Sequence, residues 1–188
     1  MIIRPEALKV LAKHRTNEAV IPAMMAAWEW PAYSTRPELD FPIRILMGHN
    51  AGVGLGVALA HPERKVWVLN GDGSQLMYLG YITDIANARV KNLILFVFQN
   101  GQYEITGGQP IPLEEELDLA TAARGLGIKN SYCFDDLAEF EARIPDILRQ
   151  DGPTFVNLKV VRGGSVKTPK PNVQETIRSF MAALQSGE

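Results

Sequence analysis

The sequence predicts an α/β fold built on a parallel sheet, and three observations predict it. Short apolar runs alternate with amphipathic stretches along the 188 residues, the order of a strand-and-helix fold. The central runs, Val66–Leu69 and Leu93–Phe98, show no polar alternation, as strands covered on both faces require. Each of these runs is followed by a small polar cluster, Gly71-Asp72-Gly73-Ser74 and Asn100-Gly101, with an amphipathic stretch between the two. The expectation is a three-layer α/β/α domain spanning residues 1–188, with a parallel sheet of about six strands.

Each element has its own signal. Glu6–Arg15 carries a helical stripe of Ala7, Leu8, Leu11 and Ala12, and Ala19-Val20-Ile21 follows as a first strand. Pro31, Pro37 and Pro42 among polar residues make the next stretch irregular. Ile43–Met47 reads as the second strand; after Gly48-His49-Asn50, the Gly- and Ala-rich Ala51–Ala60 reads as a thin helix able to pack closely. Val66–Leu69 (strand), Gln75–Ala88 (helix) and Leu93–Phe98 (strand) come next, and Gly101–Pro112 is a loop rich in Gly and Pro. Leu117–Leu126 is helical with Gly125 and Gly127 as stop signals. Ser131–Phe134 is a strand, and Asp135–Arg149 a helix capped by Asp135 or Asp136. Thr154–Val161 is the last strand and Val173–Leu184 the last helix.

Composition excludes some partners. A net charge of −2 with 21% charged residues gives no pull toward nucleic acid or an anionic membrane surface. The longest uncharged apolar stretches fall well short of the ~20 residues that span a bilayer. The opening Met1-Ile2-Ile3-Arg4-Pro5-Glu6 lacks the order of a signal peptide, so a cytoplasmic protein is expected. The single cysteine, Cys133, can form neither an internal disulfide nor a thiolate cluster; it is expected in the core.

The chemistry sits at the two polar clusters. Twenty-six residues lie between Gly73 and Asn100, enough for a crossover helix, so the two strand ends come side by side. Ligands of open parallel sheets bind in that crevice. An Asp oxygen and an Asn amide oxygen suit a hard divalent cation, which in turn suits a phosphate-bearing ligand. Gly52, Gly54 and Gly56 have G-x-G-x-G spacing without the acidic residue that would follow in a dinucleotide site, so a nicotinamide cofactor is not expected.

The Gly71-Asp72-Gly73 triplet with Asn100 resembles the cofactor motif of thiamine diphosphate enzymes, in the domain that binds the pyrophosphate. Met47-Gly48 and the run from Leu59 to Asn70 are similar to the segment before that triplet in 2-oxo acid decarboxylases. The loop Tyr103-Glu104-Ile105-Thr106-Gly107-Gly108-Gln109-Pro110 resembles that of phosphonopyruvate and sulfopyruvate decarboxylases. The resemblance implies that Asp72, Asn100 and the carbonyl of Gln102 hold Mg2+, and that Gly71, Gly73 and Ser74 border the diphosphate. It places Met47, beside Gly48, under the bent cofactor and gives the Ile45 carbonyl a hydrogen bond from the aminopyrimidine. Met47 as plain strand core is the other reading. His49 departs from the family pattern: it either handles a proton or holds an anionic substrate, or is a structural loop histidine. Tyr103 and Gln109 either reach the substrate or close over the diphosphate, ordinary packing being the other reading of Tyr103; Arg162, Lys167 and Lys170 either attract an anionic substrate or form a solvated basic face, and the solvated face is the expectation.

The implied activity is decarboxylation of a small anionic 2-oxo acid. The family also needs a domain that binds the aminopyrimidine and supplies an activating glutamate. Residues 1–42 are too few to form it, so a separate α subunit is expected, giving α2β2 or larger with this chain as β subunit. Trp28–Tyr33 and the helix Ala51–Ala60 are its candidate interface surfaces. A 2-oxo acid oxidoreductase subunit and a catalytically silent scaffold are the alternatives.

Overall fold

A computed structural model describes residues 1–163, 168–169 and 172–186. The elements run α1 Arg4–His14, β1 Ala19–Pro22, α2 Met24–Glu29, α3 Asn50–Ala60, β2 Val66–Gly71, α4 Asp72–Met77, α5 Tyr81–Ala88, β3 Leu93–Gln99, β4 Gln102–Tyr103, β5 Gln109–Pro110, α6 Leu119–Gly125, β6 Asn130–Phe134, α7 Leu137–Arg149, β7 Thr154–Lys159 and α8 Val173–Gln185. Five strands form one parallel sheet in the order β1-β2-β3-β7-β6, and β4 and β5 form a small antiparallel hairpin.

The unbroken apolar strands have the expected cause. Along β3, Ile94, Phe96 and Phe98 pack into one core with Trp67, Leu69, Leu8, Leu11, Phe140 and Ile144, which brings α1, α2 and α7 onto that face. Leu93, Leu95 and Val97 alternate with them into a second core with Val68, Ile82, Ile85, Ala58, Leu119 and Phe180, under α3, α5, α6 and α8. Successive strand residues point to opposite faces, so three layers demand apolar residues at every position. Asp136 caps α7 by accepting from the Glu139 N–H at 2.9 Å.

The expected second strand, Ile43–Met47, is corrected. The stretch beside β1 is instead residues 40–43, joined by isolated bridges Val20↔Asp40 and Ala23↔Ile43. Phe41 and Ile43 donate to the Val20 and Pro22 carbonyls at 2.8 Å each, and Pro42 between them sits on the open edge, where no N–H is needed. The chain then bends away, leaving Ile45 80% and Leu46 54% exposed, and turns at Gly48 with φ +81°. Five strands therefore stand where about six are expected. The stretch Gln75–Ala88 is likewise two helices, α4 and α5, parted where Tyr78 leaves helical geometry at φ −136°, ψ 52°. Helix α2 lies in a stretch that gave no helical signal. Cys133 is exposed on the edge strand β6, not in the core. Among the described residues no helix is long and apolar enough to cross a membrane.

Candidate functional site

A crevice opens at the carboxyl ends of β1, β2 and β3, with Met24, Met47, Asp72, Ser74, Asn100 and Tyr103 in its wall. Parallel pairing of β2 with β3 sets Gly71 opposite Phe98, so the two polar clusters leave the sheet together. Asp72 is 2% exposed. Its carboxylate accepts from the Gly73 N–H at 2.8 Å and, through its other oxygen, from the Gly101 N–H at 2.7 Å. Burial raises the Asp72 pKa above the ordinary aspartate value, and the backbone donors of Gly101, Gly73 and Asn100 only partly offset it. Among the described residues no cationic side chain forms an ion pair with it.

Asn100 lines the same crevice with both ends of its amide engaged. Oδ1 accepts from the Gln102 N–H at 3.1 Å and Nδ2 donates to Glu104 Oε2 at 2.7 Å, while its carbonyl accepts from Arg162 Nε at 3.2 Å. Gln102 opposes Pro110 in the hairpin, and the flanking bond runs from the Ile111 N–H to the Gly101 carbonyl. That pattern marks a non-hydrogen-bonded pair, so the Gln102 N–H and carbonyl face away from β5. The Tyr103 ring lies on Gly73: a Cβ there would come within 2.5 Å of Tyr103 Cδ1. Glycine at position 73 thus admits the ring that walls the site.

Ser74, in the first turn of α4, accepts from the Gly48 N–H at 2.6 Å, tying the turn before α3 to the strand end. The buried Asn50 fixes the same turn from below, donating to the carbonyls of Ile21 and Leu69.

Of the residues expected here, Met47, Gly71, Asp72, Gly73, Ser74, Asn100, Gln102 and Tyr103 share the crevice. Others do not. Ile45 and Gly48 lie outside its wall, Ile45 on the exposed bend and Gly48 buried behind Ser74. His49 turns to Tyr78, with ring centroids 4.2 Å apart, and its Nδ1 sits 3.4 Å from the Tyr81 hydroxyl. The structure thus places it in an aromatic cluster at the start of α3, outside the crevice wall. Gln109 is exposed and donates to the Thr106 carbonyl at 3.1 Å. Arg162 pairs with Glu114, and Lys167 and Lys170 lie outside the described residues.

Sequence reasoning missed a buried ionic network in the same wall. Arg4 donates from Nε and Nη2 to the two carboxylate oxygens of Glu29, at 2.7 and 3.0 Å, and from Nη1 to Glu104 Oε2 at 3.0 Å. The Arg4 pKa is raised: burial works against the charge, but the bonds and charges of Glu29 and then Glu104 outweigh it. No local motif could have announced partners 25 and 100 residues apart.

Comparison with known proteins decides the family. Residues 23–158 match the family model described as "Thiamine pyrophosphate enzyme, C-terminal TPP binding domain". The chain belongs to that family. This thiamine diphosphate enzyme domain is 37% identical over 136 residues to phosphonopyruvate decarboxylase of Streptomyces hygroscopicus, covering 71% of the chain but 33% of that relative. It is 36% identical over 140 residues to sulfopyruvate decarboxylase subunit beta of Methanothermobacter thermautotrophicus, covering 74% of the chain and 72% of that subunit. The chain thus spans about a third of the Streptomyces enzymes it matches. A solved structure from Mycobacterium smegmatis, assigned to a thiamin diphosphate-dependent enzyme, superposes with a TM-score of 0.70 over 86% of this chain and 32% of its own, at 21% identity. That likeness speaks for the fold.

Proposed function

We propose that this domain is the β subunit of a thiamine diphosphate- and Mg2+-dependent decarboxylase acting on a small anionic 2-oxo acid. One observation carries the cation: Asp72 is a buried carboxylate held by two backbone N–H groups, with no cationic side chain paired to it among the described residues. A charge buried without a partner is costly, and a divalent ion at that point removes the cost. The donor set of a carboxylate, the Asn100 amide oxygen and the Gln102 carbonyl is all hard oxygen, and these three would hold Mg2+ beside the diphosphate. In this reading Gly71, Gly73 and Ser74 border the diphosphate and Met47 underlies the rings. Tyr103 shields the metal side from water.

Thiamine diphosphate, when bound, supplies the electron sink that lets a 2-oxo acid lose CO2. This chain's part is to hold that group by its anionic end. Among the described residues its crevice offers no free glutamate for activation: Glu104 is committed to Arg4. We therefore place the aminopyrimidine-binding domain on a separate α subunit, minimally in an α2β2 assembly. The match in extent to a relative named as a beta subunit supports this. A cytoplasmic, single-domain β chain remains part of the proposal.

The direct test measures CO2 release from the purified protein, together with any chain that copurifies, supplied with thiamine diphosphate and Mg2+. Phosphonopyruvate, sulfopyruvate and pyruvate are offered in turn. Turnover of an anionic 2-oxo acid is expected. A preparation that binds the cofactor yet decarboxylates none of them would sink the decarboxylase reading.

A further inference from the structure

Among the described residues Arg4 is the one arginine in the crevice wall, and an arginine there invites assignment as a receptor for an anionic substrate. Its bonds argue otherwise. Both oxygens of the fully buried Glu29 take up Nε and Nη2, and Glu104 takes Nη1 at 3.0 Å and approaches Nη2 at 3.5 Å. Two carboxylates on one guanidinium leave no positive charge for a ligand. What the guanidinium does instead is fix Glu104, which sits in the one-turn 3-10 helix Glu104–Thr106 with its side chain 16% exposed.

Glu104 in turn meets Asn100. A side-chain amide has two ends of nearly the same shape and opposite hydrogen-bonding character; only the oxygen can ligate a cation. A carboxylate only accepts, so it selects the amide nitrogen, at 2.7 Å from Glu104 Oε2. The Gln102 N–H only donates, so it selects the oxygen, at 3.1 Å. We infer that Glu104 is a positioning residue that fixes which end of the Asn100 amide faces the cation, with the Arg4–Glu29 pair holding Glu104 in place. The inference rests on the proposed Mg2+ role of Asn100. Partners that orient metal ligands in this way commonly matter about 10- to 100-fold in metal affinity.

Glu104→Gln weakens the selection to that of the Gln102 N–H alone, because its own amide can offer either end to Asn100. Asn100→Asp removes the need for it, because both ends are then oxygen. The test is Mn2+ affinity, read by electron paramagnetic resonance of free Mn2+ with saturating thiamine diphosphate, for wild type, E104Q, N100D and the double variant. The protein is used with whatever chain copurifies. E104Q is expected to weaken Mn2+ binding about 10- to 100-fold in the wild-type background, and not to weaken it in the N100D background, where Glu104 would face a second carboxylate oxygen and its replacement by an amide relieves that contact. Equal losses in both backgrounds would show that Glu104 acts through general structure or charge and overturn the inference, as would an unchanged affinity in E104Q. Should E104Q fail to fold, Arg4→Lys, which keeps the charge but loses the fork, gives the same comparison: a loss confined to the Asn100 background supports it, and a loss in both contradicts it. Wild type that retains no Mn2+ with thiamine diphosphate fails at an earlier point and overturns the cofactor reading itself.

Discussion

Asp72 concentrates the chemistry of the site in one titration. Its folded pKa is raised by burial, so the unliganded fold binds a proton there more readily than the unfolded chain does. The stability this contributes is present in full below the unfolded aspartate pKa and is lost as pH rises through the raised folded pKa. A cation bound at Asp72 competes with that proton. Cofactor affinity, and the rise in melting temperature that thiamine diphosphate with Mg2+ produces, should therefore grow as pH increases from about 4 through the raised pKa. Thermal melts with and without cofactor across pH 4 to 8 check this; a cofactor-induced rise that is flat or declining with pH runs against it. At this scale the sequence was half legible. Asp72 and Asn100 could be paired from the crossover spacing alone, because a parallel sheet with a short helical crossover between strands leaves little choice of neighbour. Arg4, Glu29 and Glu104 could not, since their contact exists only once α1, α2 and the hairpin have closed on one another. His49 shows the converse: a histidine at a suggestive position is claimed by Tyr78 and Tyr81, on elements whose break the periodicity did not reveal.

Among the elements, the turn from residue 47 to residue 50 decides how well the crevice is shaped. Gly48 has φ +81°, and a Cβ there would meet the Tyr78 ring at 2.3 Å and the Ser74 carbonyl at 2.8 Å. Backbone strain and the clash with a main-chain oxygen act together, so Gly48→Ala should cost about 1–3 kcal/mol. Urea unfolding of this variant against wild type measures it, and a loss below about 0.5 kcal/mol, the range of an ordinary surface change, would show that the turn adapts freely. The apolar run Ile43–Met47 read as a strand because hydrophobicity was its only visible property. Pairing with β1 stops at Ile43, and Gly48, at φ +81°, turns the chain. Gly48 was in view, but its effect depended on where β1 lay.

For the whole molecule, the open question is what covers the exposed apolar residues. Trp30, expected at an interface, is fully buried and donates from Nε1 to Asp40 at 3.0 Å, so the aromatic segment is partly core. Ile45 and Leu46 stand exposed just before the turn into the crevice, next to Met47. On the proposed assembly, that bend meets the α subunit. Ile45→Asp combined with Leu46→Asp should abolish copurification of the partner while leaving the melting of this chain nearly unchanged, since exposed positions typically shift stability by no more than about 0.5 kcal/mol. A pull-down alongside a thermal melt reads both, and retention of the partner would move the interface elsewhere. The layered fold itself was legible because uncharged apolar strands admit one arrangement, covered on both faces. The interface was not, because an exposed apolar side chain and a buried one look alike in sequence.

The central claim is that Asp72 anchors the cation and diphosphate of thiamine diphosphate. Isothermal calorimetry of thiamine diphosphate with Mg2+ against wild type and Asp72→Ala, each with its copurifying chain, tests it most directly. Saturable, Mg2+-dependent binding by wild type and its loss in the variant are predicted; no binding by wild type, or equal binding by both, would contradict the account.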